Sequence, residues 1–231
     1  MPVDPDLLTS TLQRLESTAP DSVEDALQRV VDSATGLFSV TGTGLMVLDD
    51  RETLRYVAAS DDAGRVLEVV QEETGEGPCV ECFVLGTTVT TDDATADGRW
   101  PALSARLAGT GIHAVMGIPV HVAGGPVGSL NVYADRRREW DESDRLAMAG
   151  FAHLIEHVLG VAVLAHKQGR VVDQLQYALD HRVVIERAIG VLMGREELDA
   201  VTAFNRLRRS ARDSGRKVAD IATELLGGDT A

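Results

Sequence analysis

The chain has 231 residues, 44% hydrophobic and 25% charged, with a formal net charge of -14. This is the balance of a folded globular protein and excludes wholesale disorder, and the length allows one large domain or an ordinary domain with a small companion. The first residues carry no basic or apolar leader, and the longest apolar stretch, "LIEHVLGVAVLAH", is short and broken by Glu156 and His157; a cytoplasmic protein with no membrane partner is expected.

Two segments at the start, "DPDLLTSTLQRLEST" and "DSVEDALQRVVDSATGLF", open on Asp or Ser cap signals and space their apolar residues as helices do, the second through Val23, Leu27, Val30, Val31 and Leu37. The period then shortens. "GTGLMVLDDRETLRYVAAS" predicts a hairpin about the polar "DDRE". Helical spacing returns through Val66, Leu67, Val69 and Val70, "EGPCVECFVLGTTVTTDD" reads as turn, short helix and short strand, and "RWPALSARLAGTG" as a helix. "HAVMGIPVHVAGGPVGSLNVYAD" predicts two strands about Gly124-Gly125, and a helix follows from Asp141 with an acidic first turn. Helix, helix, hairpin, helical crossover, hairpin, helix implies an α+β sandwich around an antiparallel sheet.

Past Leu164 no strand signal returns. Val172, Leu175, Leu179, Glu186, Ile189 and Met193 keep a near 3,4 spacing that suits a helix pairing with a copy of itself or packing on its own domain, with Arg182 and Glu186 interrupting the seam. Asp199 caps a further helix that ends at Gly215, and "RKVADIATELLGG" forms the last. Residues 170–231 hold ten basic and ten acidic side chains, yet Phe204 to Lys217 holds six basic ones against Asp213 alone. At about 100° per residue, Phe204, Leu207 and Ala211 share a face with Ala200 and Ala203, while Arg206, Arg208, Arg209 and Arg212 fan across the opposite one, towards solvent. So acidic a chain repels nucleic acid in bulk; a locally basic element engages it only within a Debye length of ~8–10 Å.

The stretch Leu175 to Leu226 closely resembles the ANTAR domain, a three-helix RNA-binding module of bacterial transcription antitermination regulators, most specifically in "HRVVIERAIGVLM" and "AFNRLRRSARDSGRKVADIA". Residues from about 23 to 162 resemble a GAF sensor domain through the succession "GTGLMVLDD", "LRYVAASD", "GEGPC", "GIPVHVAGGPVGSLNVY" and "WDESD". The whole is similar to the GAF–ANTAR regulators common in actinobacteria. The expected fold is α+β, a GAF-like antiparallel sheet flanked by helices, followed by an all-α three-helix ANTAR-like domain. The expected division is a helical extension over 1–22, a sensor over 23–162, a helical connection over 163–174 and the RNA-binding domain over 175–231. One departure stands out: members commonly carry a lysine before the glycine of the first ANTAR helix, and here that residue is Ile189.

The resemblance implies RNA stem-loops as the partner, two ANTAR domains of a homodimer on a two-hairpin site, and suppression of termination without catalysis. The candidate RNA-binding residues are Arg206, Arg208, Arg209, Arg212, Arg216 and Lys217, with Arg182 and Arg187 at the edge, because guanidinium groups bridge phosphates and stack on exposed bases. A DNA-binding regulator and a module docking an acidic protein are the alternatives. Cys79 and Cys82, three apart, are read as inert core thiols, with a redox pair as the alternative; no second CxxC completes a zinc site, although His113 or His121 could approach. His113 heads a strand and is a weak candidate ligand. "HLIEH" lacks the HExxH order, no glycine loop has a nucleotide-binding pattern, and no catalytic constellation emerges, so a non-enzyme without cofactor is expected, apart from an unknown small ligand of the sensor.

Overall fold

The computed structural model describes residues 3–17, 20–38, 40–49, 54–165 and 169–227. Helices α1 (Pro5–Ser17) and α2 (Val23–Phe38) precede β1 (Gly42–Leu48) and β2 (Leu54–Ala59). There follow α3 (Asp62–Thr74), α4 (Pro78–Leu85), β3 (Val89–Thr91), α5 (Pro101–Leu107), β4 (Ala114–Val122), β5 (Gly125–Ala134) and α6 (Glu142–Leu164). The strands form one antiparallel sheet in the order β2-β1-β5-β4-β3. The expected hairpin is present as β1 and β2, its 50–53 connection lying outside the described residues. The second hairpin turns one residue earlier than expected: Ala123 (φ 51) and Gly124 (φ 81) are the two left-handed residues, as a two-residue hairpin turn requires, and Gly125 already belongs to β5.

Helices cover both sheet faces, so β1 is buried along its whole length and shows no polar alternation. Between the sheet and α2 with α6 lies the largest core, containing Leu27, Leu45, Met116, Leu130, Phe151 and Ile155. On the other side Leu67, Leu103, Leu107, Ile112 and Val115 pack between the sheet, α3 and α5. Helix α6 is long and apolar enough to cross a membrane, but Phe151, Ile155 and Leu159 are fully buried in the protein's own core and Asp141 starts the helix with a complete capping box.

Helix α3 departs from the sequence reading. Val66 and Val69 are exposed, whereas Leu67, Glu68, Val70 and Gln71 are buried. The buried carboxyl of Glu68 accepts from Asn131 Nδ2 at 2.9 Å, and burial raises it to about 8. Gly44 makes the space: a Cβ there would stand 2.5 Å from Glu68 Oε1.

The C-terminal part is three helices, α7 (Arg170–Glu196), α8 (Ala200–Ser214) and α9 (Val218–Gly227), joined by a core of Ile185, Ala188, Leu192, Ala203, Leu207, Ala211, Val218 and Ala222. Of the two packings that the spacing of α7 allowed, the chain uses its own domain: Val172 and Leu175 are buried among the residues of the large sensor core. Val172 and Leu175 are therefore not exposed for pairing with a second copy in this arrangement.

Candidate nucleic-acid interface

Helix α8 begins at Asp199, whose side chain accepts from Thr202 N at 2.8 Å, and ends at Gly215 in the left-handed conformation (φ 65). Ala203, Leu207 and Ala211 turn into the three-helix core, as the spacing predicted. Arg206, Arg209 and Arg212 are exposed. Arg209 and Arg212 on α8, and Arg187 on α7, make no side-chain hydrogen bond or ion pair among the described residues. Arg206 is paired with Glu196, Arg216 with Glu224 at 2.6 Å, and the Lys217 ammonium lies 3.9 Å from the centre of the Tyr177 ring.

Two of the expected contacts are placed otherwise. Arg208 does not project into solvent. It is only 4% exposed, pinned between the body of its own helix and the end of α3, with Nη2 donating to Glu72 O and Nη1 to Asn205 Oδ1, both at 3.4 Å, and Nε without a partner among the described residues. Burial, reinforced by the neighbouring Arg212 charge, lowers its pKa to about 10, so it stays a cation at neutral pH. Arg182 lies on the hairpin turn: Nε donates to Glu186 at 2.6 Å, Nη2 to Gly124 O at 3.3 Å, and a Cβ on Gly125 would overlap its guanidinium. The helical wheel turned Ala203, Leu207 and Ala211 inward as found, but it set Arg208 towards solvent, whereas Arg208 lies with Phe204 on a strip that faces a second body.

That body is the sheet domain. Phe204 packs on Phe83 of α4 with ring centroids 5.6 Å apart, and Asn205 Nδ2 donates to Gly75 O at 2.8 Å. Both accepting carbonyls, of Glu72 and Gly75, belong to the C-terminal end of α3, where a helix leaves carbonyls unpaired and favours cations. Beside this contact a cleft separates the arginines of α8 from Glu73, Glu76 and Glu81 on the opposite wall. Ile189 is half-buried at the same junction, packed against both the three-helix core and the residues around Phe204.

The remaining candidates are structural in their surroundings. Cys79 and Cys82 on α4 are free and fully buried, and burial pushes both thiols well up. Gln71 accepts from Cys79 N at 2.9 Å and donates to its sulfur. His113 contacts Asp93 at 3.2 Å, and His121 contacts Glu156; neither meets the cysteines in a metal set, since no group of three His, Cys, Asp or Glu able to hold an ion occurs among the described residues. Sequence reasoning missed Glu68 and Asn131, which only the register of α3 on β5 brings together.

A GAF domain model matches residues 20–160 and an ANTAR domain model residues 173–226. The chain belongs to the GAF family and also carries an ANTAR domain. It is thus assembled as a GAF–ANTAR regulator, from domain types that sense and that regulate transcription through RNA. The fold of the sensor is similar to the GAF domain of a phosphoenolpyruvate-protein phosphotransferase from Coxiella burnetii, at 17% identity and TM-score 0.57, over 71% of this chain and 96% of that one. The equivalent Acinetobacter domain gives 18%, 0.55, 71% and 96%. Free methionine-R-sulfoxide reductase from Neisseria meningitidis, solved with its substrate, gives 17%, 0.55, 69% and 89%. At these identities the likeness concerns the fold of the GAF domain alone. No curated protein matches the GAF–ANTAR chain.

Proposed function

We propose that this GAF–ANTAR protein is a cytoplasmic, signal-responsive regulator that binds RNA stem-loops through its ANTAR domain, favours an antiterminator fold and so controls transcription termination. The observation that carries the reading is the pair Arg209 and Arg212: exposed, on one helix, and without carboxylate partners among the described residues of a chain whose net charge is -14. Exposed guanidiniums without a carboxylate partner engage phosphate and stacked bases. The protein acts by binding, and two chains acting together supply the two modules that a two-hairpin site takes.

On this reading the docked arrangement withholds part of the basic face, Arg208, from RNA. Arg208 is buried against α3, and the remaining arginines of α8 share a cleft with Glu76 and Glu81, which repel a phosphate backbone, and with Glu73, which is paired with Arg106. A signal received by the GAF domain that loosens the α3 and α4 contacts frees the whole basic face. The test is competition between a hairpin RNA and duplex DNA of the same sequence for the full chain, with the Arg209→Ala, Arg212→Ala double variant alongside. Hairpin binding that DNA does not displace and the double variant lacks supports the reading; equal displacement by both replaces it with general nucleic-acid binding.

A further inference from the structure

The junction of the two domains holds a partly open cavity of about 70 Å³. Its wall is apolar and comes from both sides: Phe83 and Val84 of α4 and Val127 of β5 face Ile185 and Ile189 of α7 and Phe204 of α8. An apolar space of this kind has lining atoms without dispersion partners on one side, and it takes up apolar groups in preference to water. It is about half the ~150 Å³ hole that accommodates benzene, so it suits the end of an alkyl chain better than a ring.

The rim selects what the chain is attached to. Arg182 and Glu186 stand there on successive turns of α7, the arginine side chain 28% exposed and the glutamate 53%. The two form an ion pair, and its arginine is the member held further, by Gly124 O and the flat surface of Gly125, so that an incoming carboxylate shares the guanidinium with Glu186. Its Nη1 makes no hydrogen bond among the described residues. A guanidinium immobilised at the mouth of an apolar hole, with N–H donors to spare, is a receptor for a carboxylate.

We propose that this cavity binds a short-chain aliphatic carboxylate, its tail between Phe83, Ile189 and Phe204 and its carboxylate on Arg182. Because both domains build the wall, the site is whole only while the ANTAR domain is docked. By linkage the ligand then favours the docked form, and on the RNA-binding reading above it lowers RNA affinity. At ten times its dissociation constant the ligand weakens hairpin binding by up to ~10-fold, the ratio that mass action allows.

The experiment titrates hexanoate, hexanol and hexylamine into the full chain by calorimetry and follows melting in parallel. Saturable binding is expected in the order hexanoate, hexanol, hexylamine, with Arg182→Gln erasing the advantage of hexanoate over hexanol. Ile189→Lys, which brings an ammonium to the cavity, and Ala178→Leu, which fills it, are both expected to abolish binding; either one that melts cooperatively decides the point. No saturable binding of hexanoate to the wild type, or equal binding to the folded variants, overturns the site. If hexanoate binds as expected while hairpin affinity is unchanged, the site stands and its coupling to RNA is overturned. If the chain binds no hairpin with or without hexanoate, the RNA reading fails and the calorimetry still judges the site.

Discussion

Asn205, on the helix that carries the exposed arginines, donates its side-chain amide to the carbonyl of Gly75, 2.8 Å away at the end of a helix in the other domain. A single residue step, about 100° of helix, separates it from Arg206, which points away from the junction and pairs with Glu196. Docking on the sensor holds Arg208 of the same turn in the junction, while Arg206, Arg209 and Arg212 stay exposed.

From this follows the effect of loosening the junction from the sensor side. Phe83→Ala removes the ring that packs on Phe204, an aromatic pair contributing about 0.5–1.5 kcal/mol beyond its buried area. No arginine is touched, yet hairpin affinity is expected to rise, roughly 3- to 10-fold, in a fluorescence-anisotropy titration. A fall in affinity would show that the docked form is the one that binds RNA.

Arg209→Ala with Arg212→Ala is expected to weaken hairpin binding by about 1.5–3 kcal/mol for each charge-assisted hydrogen bond to RNA that the variant can no longer make. The salt dependence of binding becomes shallower by about one unit for each phosphate left without its guanidinium. Both residues are exposed, so the melting temperature is expected to stay within about a degree.

Arg208 behaves differently because it is buried and poorly compensated. Replacing it by Met keeps most of the volume and removes an unpaired Nε from the junction. Exchanging a buried ion pair for packed apolar side chains is often neutral or stabilising by about 1–4 kcal/mol, and Arg208, which has no ion pair among the described residues, leaves no carboxylate stranded when it is replaced. Thermal melting of Arg208→Met at or above the wild-type temperature is the expected result; a large loss of stability would mean that Glu72 and Asp49 compensate the charge fully.

Glu68 gives the fold a pH dependence of defined sign. Its folded pKa of about 8 lies above the ordinary 4.5, so between those values the folded chain holds a proton that the unfolded chain has released. Its contribution therefore favours folding at low pH, is lost as pH rises through that window and levels off above it, with a slope of up to ~1.4 kcal/mol per pH unit. Asp97, held down to about 2 chiefly by the Arg99 side chain, acts in the opposite direction and only in acid. Glu68→Gln, which stays neutral, is expected to gain stability over the wild type steadily from pH 5 to 8 in denaturant titrations.

Cys79 and Cys82 are expected to resist a thiol reagent until the protein unfolds, since both are fully buried and their thiolates are disfavoured. Mild oxidation leaves hairpin affinity unchanged in the wild type and in the Cys79→Ser, Cys82→Ser variant alike. A change confined to the wild type would make the pair a redox switch.

What the sequence made legible was local. The order of helices and strands follows from periodicity, and the caps at Asp141, Asp199 and Gly215 lie where their side chains or missing Cβ placed them. What it hid depends on a second surface. Val172 and Leu175 have the same spacing whether they meet a copy of the chain or its own sheet domain. The burial of Arg208 cannot be read from a wheel, because a wheel says which side is polar and not what stands in front of it. Val66 and Val69 suggested the inner face of α3, but Gly44 and Asn131 give that place to Glu68.

Helix α7 belongs to two cores at once. Val171, Val172 and Leu175 fill the sensor, Ile185, Ala188 and Leu192 fill the ANTAR bundle, and one unbroken helix of 27 residues, some 40 Å long, carries both sets. Anyone severing the protein at the edge of the matched ANTAR segment, residue 173, would leave Val171 and Val172 on the cut end of the sensor fragment, take Leu175 out of the sensor core and leave it bare on the ANTAR fragment. Each such side chain contributes about 1.5–3 kcal/mol when buried, and neither half has a substitute for it. Dissection into separately soluble pieces will expose sticky surface on both, and the behaviour of an excised ANTAR fragment will report on the cut as much as on the domain.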